Sequence, residues 1–86
     1  MGKTLIIYKI KVVEMEKLDE ALESLKTVKS GEYRDAKREP IGFGVEVIKA
    51  AFTVPEKDDQ AVEDLTKALN ELELVEEAEM QEMTLL

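Results

Sequence analysis

Eighty-six residues set the scale of one domain, residues 1–86, and a chain this short buries only about 60–65% of its unfolded surface, leaving little room for a deep catalytic cavity beside a core. Cysteine and histidine are absent, which removes disulfides, thiolate metal sites, thiol nucleophiles, the commonest general base and the usual near-neutral pH switch. The net charge of −8 repels phosphate backbones, so no direct nucleic-acid partner is expected. A soluble cytoplasmic protein with no membrane partner is also expected, since no apolar run reaches the ~18 residues of a membrane span.

Residues 3–13 alternate, with Ile6, Tyr8, Ile10 and Val12 on one side and Lys9 and Lys11 on the other, the signature of a half-buried strand. From Met15 the period changes. Leu18, Ala21, Leu22, Leu25 and Val28 form the stripe of an amphipathic helix, with Glu16, Asp19 and Glu20 early and Lys26 and Lys29 late, as the helix dipole prefers. Ser30-Gly31 reads as its stop. Residues 33–41 carry few large apolar groups, and Lys37, Arg38 and Glu39 suit an edge strand guarded against stray pairing.

After a Gly-Phe-Gly turn, Val45 to Val54 are apolar on both faces, Val45 and Val47 against Ile48, Ala50, Phe52 and Val54, which predicts a central strand. Asp58 or Asp59 is placed to cap a second helix, whose stripe is Ala61, Val62, Leu65, Ala68, Leu69 and Leu72. Leu74 to Leu86 read as a last strand, and the three-residue step from Met80 to Met83 predicts a bulge. The order β-α-β-β-α-β with right-handed crossovers is the ferredoxin-like plan. It predicts an α+β two-layer sandwich whose four-stranded antiparallel sheet, in order 4-1-3-2, has both helices on one face.

Few catalytic constellations survive. Gly42-Phe43-Gly44 is no dinucleotide fingerprint, because Val47 stands where the third glycine belongs and a strand follows. Glu77 and Glu79 read as a solvated face without a basic or apolar setting. Asp58-Asp59 lack calcium-loop spacing, and Ser24, Ser30 and the threonines have no imidazole to activate them. No catalytic residue, metal site or cofactor is therefore expected. RNA binding across the sheet would need aromatics on the central strands, whereas the alternation turns Tyr8 toward the helices.

What stands out is Pro40-Ile41-Gly42-Phe43-Gly44, a large aromatic at the tip of a glycine-flanked turn. Two readings fit the residues: a hydrophobic probe for another surface, or a hairpin whose Phe43 folds back into its own core. Residues 56–86 hold two basic and eleven acidic side chains, a balance of −9, whereas residues 1–55 balance at +1. That acidic half either solubilises the protein or attracts a basic partner.

Glu39-Pro40-Ile41-Gly42-Phe43-Gly44 is similar to the Glu-Pro-Ile-(Ala/Gly)-Phe-Gly core of the archaeal elongation factor 1-beta family and of the exchange domain of its eukaryotic relatives. The opening Met1-Gly2, Tyr8-Lys9-Ile10 and the segment Leu74 to Met80 resemble the family's first and last strands. The resemblance implies a guanine-nucleotide exchange factor for an elongation factor 1-alpha-type GTPase, which itself holds GDP and magnesium. It implies that Pro40, Ile41, Gly42, Phe43 and Gly44 meet the partner and that Phe43 enters an apolar pocket on the partner's GTP-binding domain. Thr84, Leu85 and Leu86 would press near the magnesium site, with Leu85 standing where the family carries Lys or Arg. Glu46 likewise replaces a basic residue usual in eukaryotic members. A monomer is expected when free. The competing reading is a noncatalytic interaction or oligomerisation module using Leu5, Ile7, Val13, Val45, Val47 and Leu85 on the sheet face away from the helices.

Overall fold

A computed structural model describes residues 2–86. Its elements are β1 (Lys3–Val12), a 3-10 turn (Met15–Lys17), α1 (Leu18–Leu25), β2 (Glu32–Gly42), β3 (Val45–Pro55), α2 (Asp59–Asn70) and β4 (Val75–Leu85). The strands form one antiparallel sheet in the order β2-β3-β1-β4, which is the predicted 4-1-3-2 arrangement. Strand alternation drives the layering. Ile6, Tyr8, Ile10 and Val12 of β1 and Ile48, Ala50, Phe52 and Val54 of β3 bury one sheet face against Leu18, Ala21 and Leu25 of α1 and Leu65 and Leu69 of α2.

The core is built around three aromatics. Tyr8 and Phe52 meet edge-on with ring centroids 6.2 Å apart, and Tyr33 meets Phe52 at 5.8 Å. Each such pair adds about 0.5–1.5 kcal/mol beyond its buried area. Tyr8 keeps its hydroxyl satisfied by a 2.7 Å hydrogen bond with Thr66 Oγ1 of α2, and burial still raises its pKa above 10.0. The ring is therefore unavailable for stacking bases on the open face.

Three sequence readings need correction. α1 ends at Leu25, and the Lys26 and Thr27 amides close it with bonds to the Glu23 and Ser24 carbonyls. Gly31 thus lies well beyond the helix. Its lack of a side chain serves packing instead, because a Cβ there would lie 2.9 Å from Leu65 Cδ2.

The second correction concerns β4. The predicted bulge is present: Ile7 pairs with Glu82 and Tyr8 with Met80, leaving Gln81 extra. One extra residue turns every later side chain to the opposite face. Leu85 consequently pairs with Thr4 and shares the helix-side face with Ile6 and Tyr8, not the open face. Third, Glu77 does have a basic neighbour, Lys11 at 3.7 Å, and Glu79 lies opposite Lys9.

At α2 the cap is Asp58, whose carboxylate accepts from the Ala61 amide at 3.0 Å. That side chain is committed to the helix start, where a negative charge also suits the dipole.

Candidate partner-docking site

The hairpin joining β2 and β3 is held in an uncommon backbone state. Gly42, Phe43 and Gly44 have φ of 111°, 56° and 75°. Positive φ at both central residues is the pattern of a type I′ hairpin, whose twist matches that of the flanking strands. Asparagine or aspartate followed by glycine is the usual solution. An aromatic at the first position costs about 1–2 kcal/mol, because its Cβ crowds the backbone. Ile41 is squeezed out of the pairing between Pro40–Glu46 and Gly42–Val45, a second local distortion feeding the turn.

The strain is matched by exposure. Phe43 has 106% of the reference accessible surface, so its ring touches essentially nothing of its own molecule. The reading in which it folds into the core is overturned. Tyr8 and Phe52 are buried and Tyr33 is half-buried against them, whereas this ring lies outside. Around it stand other exposed apolar groups, Val13, Met15, Ile41 and Val45. Met15 also braces the hairpin, since the Glu46 amide donates to its Sδ at 3.4 Å. Val13 and Met15 were not legible as part of this end, because β1 and the following turn meet the hairpin only through the sheet register.

Thr84, Leu85 and Leu86 are exposed, but they lie at the other end of the sheet. Thr84 pairs with Leu5 and Leu85 with Thr4, while Lys3 pairs with Pro55 at the end of β3. Phe43 lies two residues before the start of β3, and the 11 residues of that strand extend about 33–37 Å. The molecule is 41 Å in its longest dimension. Pro40–Gly44 are brought together and Thr84–Leu86 are brought together, but the two groups are kept apart.

The open sheet face differs from the apolar surface read from sequence. Val47 is buried at 1% exposure, Leu5 and Ile7 are half-buried, and Leu85 faces the other way. Across the middle run Lys37, Lys49 and Lys9, directly opposite one another. Like charges so placed repel, and the Lys49–Glu39 pair at 3.6 Å offsets part of this. The face is charged and mixed in sign, and it lacks the contiguous apolar area of a sheet-to-sheet dimer.

The described residues thus form a small two-layer domain with one aromatic, Phe43, displayed on a strained turn. The sequence model of the EF-1 guanine nucleotide exchange domain matches residues 6–86, and the chain is a domain of that class. Curated relatives narrow it further. Elongation factor 1-beta of Methanospirillum hungatei JF-1 is 35% identical over 85 residues, covering 99% of both chains. The protein of the same name from Methanoculleus marisnigri is 40% identical over 86 residues, again across 99% of both. That of Methanosphaerula palustris is 35% identical with the same coverage. The chain belongs to the elongation factor 1-beta family.

Proposed function

We propose that this protein accelerates the exchange of GDP for GTP on an elongation factor 1-alpha-type GTPase, and that it does so through contacts at both ends of the sheet without covalent chemistry. The observation that carries the proposal is Phe43, fully exposed on a turn whose three consecutive residues have positive φ. Burying such a ring in a partner pocket is worth about 1.5–3 kcal/mol. The turn is already constrained before docking, so little conformational entropy remains to be lost.

The two candidate contact groups are too far apart to press on one nucleotide site. The hairpin end therefore anchors in an apolar pocket, and Thr84–Leu86 reach a second point on the same partner. A rigid sheet spanning both points can hold the GTPase in a state that grips GDP and magnesium poorly. Reciprocity then requires bound nucleotide to weaken the grip on the exchange factor by the same factor. Leu85 supplies shape and apolar contact at the second point rather than positive charge.

The test is release of a fluorescent GDP analogue from the GTPase, with a known exchange factor as the positive control. Acceleration at micromolar protein is expected. An unchanged release rate beside a responding control removes the proposal.

A further inference from the structure

The two edges of the sheet are protected to different degrees. β2 presents Arg34, Asp35, Lys37, Arg38 and Glu39, then Pro40, charges and an imino acid that discourage an added strand. β4 has no such guard on its helix-side face. The Leu86 amide donates to Lys3 O, and hydrogen-bonding direction alternates along a strand. Counting back through the bulge, the backbone groups of Leu85, Met83, Met80 and Ala78 point outward, away from β1. At Ala78 the outward groups are already paired: its amide donates to Asn70 Oδ1 at 2.9 Å, and its carbonyl accepts from Asn70 Nδ2 at 3.2 Å. The Asn70 amide thus imitates one residue of a neighbouring strand.

Beyond Ala78 that imitation stops. Among the described residues, no side chain or backbone group bonds the outward groups of Met80 or Met83. The side chains of Met80, Met83 and Leu85 share the helix-side face and are exposed, forming an apolar shelf along the open rungs. The same strand carries Glu77, Glu79 and Glu82 toward the opposite face.

We propose that the outer edge of β4, from Met80 to Leu85, accepts an extended segment of a partner protein that alternates apolar and basic residues and adds to the sheet as a fifth strand. Its backbone would continue the rungs that Asn70 begins. Its apolar side chains would lie on Met80, Met83 and Leu85, and its basic ones would face the glutamates. Charge selects this occupant over a second copy of the chain. Pairing β4 with itself would set one column of glutamates against another within a segment that already balances at −9 over residues 56–86. Met80 and Met83 lie outside the contacts proposed for nucleotide exchange, and Leu85 is shared by the two sites.

The probe is a blocked heptapeptide alternating lysine and valine, titrated into isotope-labelled protein and followed by amide shifts and amide exchange. Saturable shifts at Met80, Met83 and Leu85, with slowed exchange of the same amides, are expected. Met83→Pro removes an outward donor and Met83→Lys places a like charge on the shelf, and each should weaken binding about tenfold or more. Should the proline variant disturb the strand, the lysine variant decides alone. Equal binding by a lysine–serine peptide, shifts at β2 instead, or no saturation at millimolar peptide overturns the proposal. So does a dimer of the protein alone that Met83→Lys dissolves, because the occupant would then be a second copy.

Discussion

The hairpin end and the chain-terminal end of the sheet both put apolar side chains into water, but by different physical means. At the hairpin, backbone conformation does it. Three successive positive φ angles lift Phe43 clear of the sheet, and the flanking glycines make this affordable. At the other end, register does it. The extra Gln81 turns Met83 and Leu85 to the helix-side face, where both are exposed. A strained turn presents one large group in a fixed direction, which suits an anchor. An edge strand presents a row of modest groups and unpaired backbone, which suits a longer and more tolerant contact. The first depends on two glycines, and the second on one inserted residue.

The largest separation between the ends is expected from Phe43→Ala. Central aromatic anchors commonly contribute 2 kcal/mol or more, so nucleotide release should slow by about 30-fold or more. Thermal stability should stay within about 0.5 kcal/mol of the parent, because the ring contacts no neighbour. A large drop in melting temperature would mean that the ring packs inside in solution, and the anchor would be lost with it.

Gly44→Val tests the strain itself. At φ 75° nothing lies within 4 Å of the added Cβ, so crowding with neighbours plays no part. The cost is the left-handed backbone, about 1–2 kcal/mol for a β-branched side chain. Lower stability and slower exchange should appear together in chemical denaturation and release assays. Gly44→Asn, which tolerates that region, should recover most of both. If valine were as good as asparagine, the turn would owe nothing to its glycine.

Much of this contrast was legible in the sequence. The layer plan follows from a period of two giving way to 3.6 and back again, and the step from Met80 to Met83 disclosed the bulge. The exposure of Phe43 was not decidable from the residues, because a glycine-flanked aromatic suits both a probe and a tucked-in hairpin. The full exposure of the ring in the folded chain distinguishes them. Leu85 falls on the open face only under an unbroken two-residue period, and the extra Gln81 turns it to the helix side. The participation of Met15 depends on a contact across 31 residues of chain, which no local pattern encodes. The separation of Phe43 from Leu85 was implicit in the strand order, since a hairpin tip and the end of the fourth strand fall at opposite ends of this topology.

Leu85→Lys examines the second end. The side chain is 68% exposed on an edge strand, so stability should change by no more than about 0.5 kcal/mol. Losing the apolar contact at this position should lower the exchange rate about two- to fivefold, the range of one peripheral interface side chain. Combined with Phe43→Ala, the two effects should multiply, because sites this far apart add within about 0.5 kcal/mol. Strong coupling between them would show that the ends act as one site.

The smallest effect belongs to the ion pair that ties β1 to β2 at the chain-terminal end. Lys3 Nζ donates to Glu32 Oε2 at 2.8 Å. That hydrogen bond, with Arg34 beside it, holds the Glu32 carboxyl below its ordinary pKa of 4.5. A carboxylate depressed in the folded state contributes stability above its unfolded pKa and loses it as pH falls through the folded value. Wild type should therefore exceed Lys3→Met in chemical denaturation by a small, constant margin from pH 6 to 8, a range chosen about 1.5 units or more above the unfolded carboxyl. The two curves should converge on acidification below about pH 4, and added salt should shrink the margin because both groups are half-exposed. A margin that persisted in acid would assign the stabilising role of Lys3 to its methylene stem rather than its charge.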